Sequence, residues 1–143
     1  MNPEDKVFVD TDIILDLLAR RSPHYTYAAT LFSAAERGNL IIYASSLSIA
    51  NLYYMLRKLK SREYALRHLR KLRLLARIVS VDEKTIDLAL ASDFNDLEDA
   101  VQNYAASENG IKVIITRNKK DFKKSRLVVC TAEEYLAMKL GSI

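Results

Sequence analysis

The chain is poor in cysteine, glycine and proline, and each shortage removes a class of explanation. One cysteine, Cys130, rules out an internal disulfide. It ends the apolar run Leu127-Val128-Val129-Cys130, where a buried reduced thiol is expected rather than a nucleophile. Three glycines and two prolines, with no repeat and no low-complexity stretch, leave no place for a linker, so one domain spanning 1–143 is expected. No run approaches the ~18 apolar residues of a membrane span. The opening Met1-Asn2-Pro3-Glu4-Asp5-Lys6 is acidic and polar where a secretory signal would be basic and then apolar, which predicts a cytoplasmic protein with no membrane association. The two histidines, His24 and His68, fall in no zinc spacing and read as structural.

Charge is plentiful, and it is segregated. The net charge is +4, but 57–77 holds nine basic residues against one acid, 82–99 holds seven acids against one lysine, and 117–126 holds six basic residues against one acid. Acids gathered in one place invite a cation, and basic segments on either side invite a polyanion such as a nucleic acid. Solvated helix faces would give the same runs, so the pattern needs chemistry-bearing residues beside it.

Short β-branched apolar runs at 6–9, 40–43, 77–81, 113–116 and 127–130 read as strands. Between them, 12–19, 25–37, 47–59, 62–76, 83–91, 97–108 and 132–140 carry helical periodicity. Strands alternating with helices imply a three-layer α/β/α sandwich with a mainly parallel central sheet of four to five strands. Gly38 and Gly110 stand as helix C-terminal stops. Such sheets bind ligands beyond the carboxyl ends of their strands, which directs attention to 10–12, 45–46 and 117–121.

Val7-Phe8-Val9-Asp10-Thr11-Asp12 puts two carboxylates where a buried strand turns into a helix. Asp10, abutting the strand, is desolvated and reads as a metal ligand; Asp12 reads as the helix cap. In Asp96-Leu97-Glu98-Asp99, Asp96 fits an N-cap with Asp99 one turn later, and both could reach one cation. Thr116-Arg117-Asn118-Lys119-Lys120-Asp121-Phe122 offers Asn118 and Asp121 as further oxygen ligands in a basic setting. Hard oxygen donors without a Cys/His set favour Mg²⁺ or Mn²⁺.

In this order the three segments resemble PIN domains. The first matches the family's opening strand and Asp-Thr-Asn, Asp99 in Glu98-Asp99-Ala100 resembles the third acid, and the Thr116 segment resembles the closing Thr-x-(Asp/Asn). The resemblance implies a metal-dependent endoribonuclease acting on RNA, of the VapC type, neutralised by a small antitoxin and compatible with a homodimer. Carried over, Asp10 and Asp99 are catalytic metal ligands, helped by Asp12, Asp96, Asn118 or Asp121, with Thr11, Ser45, Asn51 and Thr116 in support. The departure is Ser45-Ser46-Leu47-Ser48-Ile49-Ala50-Asn51-Leu52, where Asn51 stands in place of the family's glutamate. An amide adds no charge and accepts no proton, so a PIN-like binding or regulatory module without catalysis is the alternative. Asp10-Thr11-Asp12 also looks like the Asp-x-Asp opening of haloacid-dehalogenase-type phosphatases, a third reading. For RNA contact, Arg70 and Arg73 lie with Arg67 and Arg77 opposite Leu69, Leu72 and Leu75 on one helix, and Arg117 and Lys119 flank the closing motif.

Overall fold

The structure, a computed structural model, is described over residues 2–140. Five strands, β1 (Lys6–Val9), β2 (Ile41–Ser45), β3 (Ala76–Val79), β4 (Val113–Ile115) and β5 (Val128–Cys130), form one sheet in the order β3-β2-β1-β4-β5. Every pairing is parallel. The sheet is therefore wholly parallel, at the upper end of the expected strand count.

The central strand explains the layering. Val7, Phe8 and Val9 are all fully buried, as a strand covered on both faces requires. Val7 and Val9 point into a core with α1 (Thr11–Leu18), α2 (Tyr25–Glu36), α3 (Ser46–Leu59), α4 (Arg62–Leu75) and α7 (Ala132–Leu140). Phe8 points the other way, onto Ala105 and Ala106 of α6 (Leu97–Glu108) and onto Phe122. α5 (Glu83–Leu90) packs on α6 through Ala89, Ala100 and Val101. No helix among the described residues is long and apolar enough to cross a membrane.

Helix starts follow local chemistry. Ser45, Ser61, Asp82 and Asp96 each sit in extended backbone and accept an amide hydrogen bond from the first turn they precede. At the first helix the expectation is reversed. Asp10 is the cap, with Oδ1 accepting from Thr11 N at 2.8 Å, whereas Asp12 already lies inside the helix. Gly38 and Gly110 both have positive φ, 78° and 71°, and end their helices as expected. The strand order reverses between β1 and β4, so their carboxyl ends flank a crevice at the switch point. Residue 10 leaves one side of it and residue 116 the other.

Candidate active site

At the centre of the crevice is Asp10, 9% exposed. Its Oδ2 accepts from the Thr116 hydroxyl at 2.9 Å, and Gln102 Nε2 lies 3.5 Å from its Oδ1. Behind it runs a buried polar network. Thr11 Oγ1 and Ser48 Oγ are 2.8 Å apart, Gln102 Nε2 donates to Ser48 Oγ at 2.7 Å, and Ser45 Oγ donates to Gln102 Oε1. Burial pushes the Asp10 pKa up, against the lowering effect of its hydrogen bonds from the Thr116 hydroxyl, the Thr11 amide and Gln102; the charge of Asp121 raises it further.

Asp99 approaches from the first turn of α6, whose cap Asp96 accepts its amide at 3.2 Å. Burial, then the charges of Asp96, Asp10 and Asp121, push its pKa up to about 7. Asp12 is pushed to about 6, by burial first and then by Asp10. One of its oxygens accepts from Arg117 N at 3.1 Å and from Asn118 Nδ2 at 3.2 Å, and the other, Oδ1, is buried without a hydrogen-bond partner. Acids from three segments of chain, 10–12, 96–99 and 121, thus feel one another at one edge of the sheet. Among the described residues no three acidic, histidine or cysteine side chains are drawn tightly enough together to enclose an ion. Carboxylates that repel one another stay apart until a cation screens them. The donor set is all hard oxygen, and mutual repulsion together with the unsatisfied Asp12 Oδ1 fits a divalent cation.

Several expected residues have structural duties here. Asn118 donates its Nδ2 to Asp12 Oδ2. Ser45 caps α3 and holds Gln102. Asn51 donates to Glu98 Oε1 at 2.9 Å. Arg117 forms a two-point ion pair with Asp16, Nε to Oδ2 at 2.7 Å and Nη2 to Oδ1 at 3.2 Å, and Lys119 pairs with Glu134 at 2.9 Å. The basic helix lies elsewhere. α4 runs straight into Ala76, which pairs with Ile42 near the start of β2, so Arg73 and Arg77 sit at the amino edge of the sheet, opposite Asp10. The Cys130 thiol is buried and its pKa is pushed up to about 11, which suits the inert role expected of it.

Three participants were not singled out by the sequence. Asp16, Ser48 and Gln102 are each 0–1% exposed and polar. The available signal was a lone acid inside Ile13-Ile14-Leu15-Asp16-Leu17-Leu18, and the amide Gln102 set, with Asn103, among the small apolar residues Ala100, Val101, Ala105 and Ala106.

A family model described as the PIN domain matches residues 6–120, taking in Asp10, Asn51, Asp99 and Asn118. The chain belongs to the PIN domain family. Ribonuclease VapC1 of Aquifex aeolicus (strain VF5) is 29% identical over 140 residues, covering 94% of this chain and 95% of that protein. Among solved structures, FitAcB from Neisseria gonorrhoeae superposes with a TM-score of 0.68 at 15% identity, covering 89% of this chain and 98% of its own. A toxin–antitoxin complex from Klebsiella pneumoniae gives 0.67 at 21%, covering 88% and 97%. These two likenesses bear on the fold, which is the PIN α/β/α sandwich. Membership of the PIN family sets aside the phosphatase reading of Asp10-Thr11-Asp12.

Proposed function

We propose that the protein is a divalent-metal-dependent endoribonuclease and the toxin of a toxin–antitoxin pair. The observation that carries this reading is that Asp99 lies within the field of the buried Asp10 across the crevice in a PIN domain, the Asp10 charge helping to push the Asp99 pKa up. The likeness to a ribonuclease over nearly the whole chain supports it. The solved toxin–antitoxin likeness supports a small antitoxin protein as partner.

Asp10 and Asp99 hold the cation, assisted by Asp12, Asp96 or Asp121, and the oxygen-only donors favour Mg²⁺ or Mn²⁺. When bound, such a cation neutralises charge on the scissile phosphate and acidifies the attacking water. The protein's own part is orientation. Thr116 and the Thr11–Ser48–Gln102 network fix the Asp10 carboxylate, so it meets the cation without rotamer loss. Without a cation the Asp99 pKa stands at about 7, so binding of a cation at this carboxylate is linked to release of its proton in the neutral range. Lys119 and Lys120 stand beside the crevice and attract RNA phosphate; Arg70 and Arg73 on the far edge serve only an RNA long enough to wrap.

A PIN module without catalysis is the second reading, and Asn51 is the observation that favours it. Incubation of a mixed RNA pool with the protein and Mn²⁺, with EDTA, and with Asp99→Asn separates the two. Cleavage lost in the last two conditions is expected. RNA left intact by the wild type with Mn²⁺ contradicts the nuclease.

A further inference from the structure

The amide of Asn51 and the carboxylate of Glu98 form a rung between α3 and α6, Nδ2 to Oε1 at 2.9 Å. One turn deeper the same two helices are joined by a second rung. Gln102, four residues after Glu98, donates through Nε2 to the hydroxyl of Ser48, three residues before Asn51, at 2.7 Å. This inner rung is the one that reaches Asp10, with Gln102 Nε2 3.5 Å from its Oδ1. The outer rung lies roughly 5 Å farther out along the same faces, a helical turn away. Glu98 is also the direct neighbour of Asp99 in the first turn of α6.

The PIN resemblance places a glutamate at position 51, on the α3 side of this rung. Here α3 offers an amide and α6 offers the acid, so the rung keeps one negative charge with its side exchanged. From this geometry we infer that Glu98 is the third carboxylate of the cation site, in the role the family gives to a glutamate at position 51, with Asn51 as its positioning residue. Asn51 fixes Oε1 and leaves Oε2 with no hydrogen bond to another side chain among the described residues, free to meet a cation. Burial first, and then the charges of Asp96 and Asp10, raise the Glu98 pKa, so this carboxylate is within the field of the Asp10 crevice. The inference rests on the metal-dependent reading above.

Mn²⁺ titration calorimetry on the full chain, with the Mn²⁺-induced rise in Tm as a second readout, tests it. Glu98→Gln removes the charge yet can still accept from Asn51, so the apo fold is preserved. Its Mn²⁺ affinity is expected to fall on the order of tenfold or more. Asn51→Glu combined with Glu98→Gln returns the acid to α3 and is expected to recover most of the loss, which a merely structural role for Glu98 would not produce. Asp99→Asn is the reference for the site itself. If Glu98→Gln binds Mn²⁺ like the wild type while Asp99→Asn loses it, the inference is overturned and the site stands. If Glu98→Gln weakens binding and the combined variant stays weak, the exchange of roles across the rung is overturned. If neither Glu98→Gln nor Asp99→Asn changes Mn²⁺ binding, the metal reading fails and takes the inference with it.

Discussion

Replacing Asp16 by asparagine removes the anion that organises the strand end beyond the crevice. Asp16 is fully buried on α1 and serves two guanidinium groups: Arg117 at 2.7 and 3.2 Å, and Arg21 at 2.9 Å. Removing one partner of a buried ion pair costs about 3–5 kcal/mol, because the other charge is left without its counter-ion. The side chains of Arg117 and Arg21 are 30% and 41% exposed, so water takes over part of their solvation. That lowers the expected loss to about 2–3 kcal/mol. For a chain of this length it corresponds to a Tm lower by roughly 6–10 °C. Thermal melting followed by circular dichroism at neutral pH reads it directly. Arg117 N also holds Asp12, and the adjacent Thr116 holds Asp10, so Asp16→Asn is expected to weaken Mn²⁺ binding too. Arg117→Ala combined with Asp16→Asn should cost less than the two changes separately, since both remove one interaction. A variant melting within about 2 °C of the wild type, or full additivity of the two changes, refutes this account of the pair.

Three further predictions follow from the same geometry. Because the folded state raises the pKa of Asp99 to about 7 and of Asp12 to about 6 from 3.8, it binds more protons than the unfolded chain in that window. Metal-free stability should therefore fall as pH rises from about 5 to 8, with Mn²⁺ restoring it at the upper end; a melting temperature that climbs over that interval without divalent cation contradicts the shifts. Gln102→Leu leaves Ser45 and Ser48 short of a partner, and a loss of about 2–3 kcal/mol with weaker Mn²⁺ binding is expected; a melting curve like that of the wild type would show the network to be dispensable. Reversing Arg70 and Arg73 to glutamate should leave cleavage of short oligoribonucleotides unchanged, because α4 ends at the opposite edge of the sheet; slower cleavage of short substrates would bring that helix to the site.

What the sequence revealed and what it hid have physical reasons. Val7-Phe8-Val9 could only be a doubly covered strand, and helix ends followed Ser, Asp and Gly signals, so most element boundaries moved by only a residue or two. Ala76 is the clearest such case: helical periodicity claimed it, while pairing with Ile42 made it the first residue of β3. Between Asp10 and Asp12 the choice of cap depends on backbone angles, which two adjacent acids do not encode, and the structure gave it to Asp10. The partners of Arg117 and Asn51 lie 101 and 47 residues away, beyond any local pattern. A helical wheel separated the arginines of α4 from its leucines but carried no information about which edge of the sheet the helix reaches.

The most direct test of the shared cation is anomalous diffraction from crystals grown with Mn²⁺. The account predicts an anomalous peak between the carboxylates of Asp10 and Asp99 at the carboxyl edge of β1 and β4, lost in Asp99→Asn. A Mn²⁺ peak elsewhere on the chain, or none at that edge in protein that cleaves RNA, would contradict it.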